Sequence, residues 1–233
     1  MAKNDKKQAH GNELLENPEV LAEQISKTEE ILEENKTVVI SVIGIIALII
    51  AGYFAYNYYM QDQNEKAQSE MFQAIFYFEA DSLDLALNGD GNNLGFKDII
   101  ENYSGSDAAN LANFYSGTAY LKKGDFKSAL LYLEDFSSSD LLVQARTYSL
   151  MGDAYMEQND YTNAVKYYNM AADYKSNEFF TPHYLMKAAI AYEKMNDKQG
   201  AIKCYDKIIN DFWKSAEALE AKKQKARLTA KAS

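Results

Sequence analysis

The chain has 233 residues, 47% of them hydrophobic, which is enough for a packed core and argues against disorder as the dominant state. Its 34 acidic residues against 24 basic ones leave a formal charge of −10, a field that repels phosphate backbones, so nucleic acid is not an expected partner. A single cysteine, Cys204, excludes an intramolecular disulfide and any cysteine-based zinc site, while two prolines and long glycine-poor stretches predict an all-α fold.

Residues 1–36 form the first segment. Asn17 and Pro18 suit an N-cap and a first helical turn, and Leu21, Ile25, Thr28 and Leu32 then share one face, which predicts a short amphipathic helix. Two readings of it stand: a docking or membrane-surface element, or a continuation of the next helix with a mostly solvated face. Glu29, Glu30, Glu33 and Glu34 disfavour an anionic membrane surface.

Residues 37–61, TVVISVIGIIALIIAGYFAYNYYMQ, carry no charge over 25 positions. As a helix they reach roughly 37 Å at ~1.5 Å per residue, enough to cross a hydrocarbon core. Eleven of them are Val, Ile, Leu or Phe, and no charge opposes insertion. Tyr53, Phe54, Tyr56, Tyr58 and Tyr59 cluster at the C-terminal end, where amphipathic rings favour the headgroup layer. The long charged segment before the run and the aromatics after its apolar centre do not fit a cleaved signal peptide. Five lysines (Lys3, Lys6, Lys7, Lys27, Lys36) precede the run, whereas Lys66 is the only basic residue between Gln61 and Lys97, which predicts a cytoplasmic N-terminus. Within the run, Gly44, Ala47, Ala51 and Ala55 recur at three- and four-residue spacing. Such a stripe lets another transmembrane helix approach closely, and it is also common in membrane helices that have no partner.

Residues 62–110 are expected to hold membrane-proximal helices. Glu65 to Leu87 reads as one helix, the NGDGNN stretch from Asn88 to Asn93 breaks it, and Gly95 to Ala109 looks like the second half of a divergent first repeat. Asp90 and its neighbours lack the ligand spacing of an EF-hand loop, so they read as a solvated turn.

Residues 111–213 hold three self-similar segments, GTAYLKKGDFKSALLYL, GDAYMEQNDYTNAVKYY and AIAYEKMNDKQGAIKCY, starting at Gly117, Gly152 and Ala189. The intervals of 35 and 37 residues approach the ~34 of a tetratricopeptide repeat, whose skeleton is small-x-x-Tyr, then Tyr or Phe, then Ala-x-x-x-aromatic. Gly117, Tyr120, Phe126, Ala129 and Leu133 fill it first, then Gly152, Tyr155, Tyr161, Ala164 and Tyr168, then Ala189, Tyr192, Ala201 and Tyr205. Asn159 and Asn196 stand where the first unit has Gly124, and Asn tolerates the left-handed conformation such a turn needs. Lys198 replaces the turn aromatic. The expected architecture is one N-terminal transmembrane helix followed by a tetratricopeptide-like α-solenoid. Residues 214–233 supply its polar end-capping helix and tail.

Neither His10 nor His183 sits in a metal-ligand or catalytic motif, and no GxSxG, phosphate-cradling loop or HExxH sequence is present. No catalytic, cofactor-binding or metal-binding residue is therefore assigned, and no enzyme activity is expected. Cys204 follows Ala201 on one helix and reads as a buried structural thiol. What remains is binding. The first helix of each tetratricopeptide hairpin lines a groove, which places Phe114, Thr118, Arg146, Met156, His183, Met186 and Ile190 along it, either as a peptide-binding face or as inter-repeat core. Its mixed, partly apolar character suits an extended or unfolded segment better than a peptide carboxylate.

A short charged N-terminus, one span and a divergent repeat domain, with ENPEVLAEQISKTEEILEENK before the span and YFEADSLDLALNGDGNNLGFKDIIENY after it, resemble the YfgM-like ancillary subunits of the bacterial Sec translocon in their Bacteroidota-type form. The resemblance implies an inner-membrane protein with a periplasmic domain that associates with the SecYEG translocon and a PpiD-like membrane-anchored chaperone and handles unfolded secretory chains. It carries over no catalytic residue. The other readings are a general inner-membrane scaffold for envelope protein assembly unrelated to Sec, and an accessory to an enzyme whose chemistry lies on a bound partner.

Overall fold

The computed structural model describes residues 33–230 together with Ala22 and Ser26. The amphipathic helix expected around Leu21, Ile25, Thr28 and Leu32 lies outside the described residues. Among the described residues all regular structure is helical: α1 (Lys36–Glu79), α2 (Leu83–Asn88), α3 (Phe96–Asn102), α4 (Asp107–Lys123), α5 (Phe126–Asp135), α6 (Leu141–Glu157), α7 (Tyr161–Asp173), α8 (Thr181–Lys194), α9 (Lys198–Asp211) and α10 (Glu217–Ala230). The chain divides into two compact units, Met1–Tyr59 and Met60–Ser233.

In the first unit the apolar part of α1 is long and apolar enough to cross a membrane, and none of it is buried against protein. Val38, Leu48 and Tyr58 are 61%, 74% and 79% exposed, so apolar side chains look outward on every side of the helix. A core helix of a soluble protein would hide one of those faces.

In the second unit, small residues recur where helices meet. Ala67, Met71 and Ala74 of α1 stand three and four residues apart and pack with Ala86, Phe96, Ile99, Ala108 and Ala112 in one buried cluster. The later helices bury a larger cluster around Ala164, Tyr168, Leu185, Ala188, Ala201, Tyr205 and Ile208. The helix expected to run to Leu87 ends at Glu79. Asp81 takes a left-handed conformation (φ 57°), its amide donates to the Phe78 carbonyl and the Ser82 amide donates to the Tyr77 carbonyl at 2.8 Å, which closes α1 and starts α2.

The same closure recurs three times. Gly124, Asn159 and Asn196 are left-handed (φ 78°, 58° and 60°), and the amide of the following aspartate reaches back to Tyr120, Tyr155 and Tyr192, respectively. That aspartate then caps the next helix: Asp125, Asp160 and Asp197 accept from the amides of Ser128, Asn163 and Gly200. Each two-residue turn thus satisfies one helix end and the next helix start, giving the hairpins α4–α5, α6–α7 and α8–α9.

Candidate binding surface of the repeats

Each hairpin is set by how closely its two helices approach. A Cβ added at Gly117 would meet Leu133 Cγ at 2.6 Å, and one at Gly152 would meet Tyr168 Cε1 at 2.5 Å, so glycine is what lets α5 and α7 seat against their partners. Twelve residues beyond the repeat tyrosine a second ring stacks on it. Tyr120 and Tyr132 lie 5.4 Å apart at 10°, and Tyr155 and Tyr167 lie 5.3 Å apart at 11°. The third hairpin has Cys204 at that position, and a cleft of about 320 Å³ opens there beside Tyr192, Gly200 and Lys203. Cys204 is buried, and burial pushes its thiol up to about 11, away from the reactive thiolate.

Successive hairpins are joined by a polar device. Tyr168 of α7 donates its hydroxyl to Asp153 Oδ1 of α6 at 2.6 Å, and Lys187 of α8 reaches both oxygens of the same carboxylate at 2.9 and 2.8 Å as well as Ser149 Oγ at 3.2 Å. One hairpin later Tyr205 of α9 donates to Glu193 Oε1 of α8 at 2.8 Å, and Arg227 of α10 pairs with that glutamate. In both cases a tyrosine on the second helix holds an acid on the first, and the acid accepts from a basic side chain on the helix that follows the hairpin. Burial, followed by the carboxylate bond, pushes both phenols well above their ordinary value, so they stay protonated donors. The first hairpin has Leu133 in place of the tyrosine and lacks the device.

The expected groove residues take up several different roles. Met186 and Ile190 come together, lining a cleft of about 460 Å³ between α8 and α10 with Tyr205, Gln224 and Arg227. Ile190 is 45% exposed. Phe114 packs on the Leu133, Leu150 and Met151 cluster with its ring 5.4 Å from Phe136, and Thr118 donates its hydroxyl to the Phe114 carbonyl at 2.8 Å. Met156 is half-buried against the C-terminal core. Arg146 and His183 are exposed, and partial desolvation, then the Lys187 charge, holds the His183 imidazole below its ordinary value. Gly44, Ala47, Ala51 and Ala55 are exposed along α1.

Several contributors to this surface were absent from the expected set: Asp153, Lys187, Gln224 and Arg227. The i to i+4 pattern shows which helix face they share, but their pairing depends on the offset between repeats, which no single helix encodes. Asp90 is a contrasting case. Its carboxylate accepts from the Tyr77 hydroxyl at 2.6 Å and the amides of Asn92 and Asn93 at 2.8 and 2.7 Å, which hold it well below the usual carboxylate range. Its oxygens organise their own loop. Among the described residues, no group of three or more His, Cys, Asp or Glu side chains is arranged to hold a metal ion.

Two family models, both described as tetratricopeptide repeat, match residues 145–178 and 184–215. These segments are tetratricopeptide repeats. They coincide with α6–α7 and α8–α9, the two hairpins that carry the tyrosine, acid and base device. The α4–α5 hairpin has the same turn closure as the two repeats and shares the glycine approach of α6–α7, and neither match reaches it. No curated protein matches the chain.

Proposed function

We propose that the chain is a non-enzymatic accessory subunit of the SecYEG translocon, held in the bacterial inner membrane by residues 37–61. Its N-terminus lies in the cytoplasm and its repeats in the periplasm, where they bind partner proteins such as a PpiD-like chaperone and assist unfolded secretory chains. The tetratricopeptide repeats make the chain a protein–protein interaction scaffold, a fold that typically carries no catalysis. The observation that carries the tethered reading is the pairing, on one chain, of an apolar helix exposed on every side with these repeats. The Sec assignment is supported by the resemblance of the segments flanking the span.

In this reading Met186 and Ile190 form the centre of the client surface, with Phe114, Thr118, Arg146, Met156 and His183 extending it. Gly44, Ala47, Ala51 and Ala55 provide the contact for a partner's membrane helix. The repeat domain then comprises residues 111–213, with residues 62–110 as its membrane-proximal start and 214–233 as its cap.

Mild crosslinking followed by detergent purification of the C-terminally tagged full chain tests the assignment. SecYEG and the PpiD-like chaperone are expected among the captured proteins. Recovery of other envelope proteins without them would replace the Sec role with a general scaffold. Protease added from the periplasmic side is expected to digest the repeats, and protection of the repeats would reverse the orientation. Replacing Ala47 and Ala51 with Leu is expected to reduce capture of membrane partners, and unchanged capture would remove the stripe from the interface.

A further inference from the structure

The two edges of the repeat unit differ in chemistry. One edge carries the turns inside each hairpin, Gly124-Asp125, Asn159-Asp160 and Asn196-Asp197, flanked by Lys122, Lys123, Glu157, Lys194 and Lys198. The opposite edge carries the loops between hairpins and displays Leu142, Phe179, Phe180, Trp213 and Leu219, exposed by 47%, 83%, 41%, 63% and 64%. Large apolar side chains gathered on one edge of a water-facing unit mark a contact surface.

A chain of contacts shows that these loops share an edge with the point where the chain enters the unit. Met60 reaches Gly105, and Asn64 Oδ1 accepts from the Ala108 amide at 2.9 Å, at the start of α4. Asn110 and Ser137 exchange bonds of 2.8 and 3.1 Å, which places the α5–α6 loop beside that start. Tyr174 and Lys175 bond the Ser138 and Ser139 carbonyls, and Phe179 shares a cleft of about 360 Å³ with Trp213. Met60 is the first residue of the unit, so the exposed aromatics lie on the edge where the chain enters it.

We propose that this edge, through Phe179, Phe180 and Trp213, inserts into the interfacial layer of the bilayer, so that the repeats are docked on the lipid surface as well as tethered to it. The proposal rests on the reading that residues 37–61 cross a membrane. Aromatic rings favour the headgroup layer, and Lys214, whose Nζ lies 4.9 Å over the Trp213 ring, supplies a cation at the same depth. Glu178, Asp211 and Glu217 line the same cleft. With both signs of charge present, ring burial drives docking, and an uncharged lipid surface suffices.

Trp213 is the only tryptophan of the chain and therefore its own probe. The full-length protein is reconstituted in phosphatidylcholine vesicles with bromine at shallow or deep acyl positions, and carbonate extraction is run on the same samples. The expected result is blue-shifted Trp213 emission that falls with shallow bromine more than with deep, in protein that carbonate does not release. Phe179→Ser with Phe180→Ser is expected to restore emission and leave carbonate resistance unchanged. Unquenched Trp213 in carbonate-resistant protein overturns the docking and leaves the span standing. A blue shift without bromine quenching assigns the edge to a protein contact, such as a second copy, and overturns it too. Release by carbonate overturns the span, and the docking with it.

Discussion

The two units use small residues to opposite ends. A Cβ added at Gly44 or Gly52 would meet nothing within 4 Å, whereas at Gly117 and Gly152 it would collide with Leu133 and Tyr168. Ala47 and Ala51 are exposed, while Ala164, Ala188 and Ala201 are fully buried. In the apolar stretch of α1, transfer energy accumulates residue by residue and shape has no part in it. In the repeats the apolar gain depends on how closely two helices meet, and one methyl group decides that.

The largest test of this contrast is charge in the span. Eleven insertion-favouring side chains contribute roughly 3–7 kcal/mol in total, and each aspartate at the centre opposes them by about 3 kcal/mol. Ile45→Asp with Ile49→Asp is therefore expected to shift the chain out of the carbonate-resistant membrane fraction. The thermal midpoint of the repeats should not move, and a fall in it would show that the two units depend on each other for stability.

Next in size is the comparison of two glycines. Gly152→Ala forces its methyl against a Tyr168 ring that is 3% exposed and tied by its hydroxyl to Asp153, so the ring cannot swing aside. The expected cost is about 1–3 kcal/mol, typical of overpacking, which lowers Tm by roughly 3–10 °C in a unit of this size. Gly44→Ala is expected to leave Tm and membrane insertion unchanged. Equal effects at the two positions would remove the distinction between the units.

How far each of these features was legible in the sequence follows from the range of the interaction behind it. The uncharged run Thr37–Gln61 and the Gly152, Tyr155, Ala164 and Tyr168 skeleton were visible because composition and local spacing encode them. Asn159 and Asn196 were legible as turn residues because their short side chains tolerate φ above zero. The aspartates that follow them, Asp125, Asp160 and Asp197, passed unremarked as ordinary surface acids, although an acid directly after a left-handed residue is itself a readable cap signal. The end of α1 at Glu79 was missed because Asp81 is neither Gly nor Asn, and the residues on either side continue the helical pattern. The Asp153–Lys187 contact was beyond reach of any one-helix pattern, because it requires the offset of α6 against α8.

That contact supplies the third test. Asp153→Ala strands the Tyr168 hydroxyl and Lys187 together, at an expected cost of about 1–2 kcal/mol by chemical denaturation. In Asp153→Ala with Lys187→Met the cost should fall short of the sum of the single changes, because no lysine charge is then left without its carboxylate, while the Tyr168 hydroxyl loses its acceptor equally with and without Lys187. Strict additivity would mean that the inter-repeat device adds no coupling. In the first hairpin the same cycle has no counterpart, since Leu133 stands where the others have tyrosine.

The smallest expected effect separates two residues that look alike in sequence. Asn159 and Asn196 are both left-handed and both start a Schellman-type turn, and replacing either with Gly relieves a Cβ held at positive φ. Gly also loosens the unfolded chain, so the net gain is at most about 0.5–1 kcal/mol. The two sites differ in one side-chain bond: Tyr161 donates its hydroxyl to Asn159 Oδ1 at 2.6 Å, and position 198, its counterpart after Asn196, is a lysine. An exposed bond of this kind contributes on the order of 0.5 kcal/mol, close to what the glycine gains. Asn196→Gly is therefore expected to raise the midpoint slightly and Asn159→Gly to leave it level, as read by thermal melts of the two variants side by side. A larger gain at Asn159 would mean that the Tyr161 bond contributes nothing, and that the aromatic at this turn is retained for packing alone.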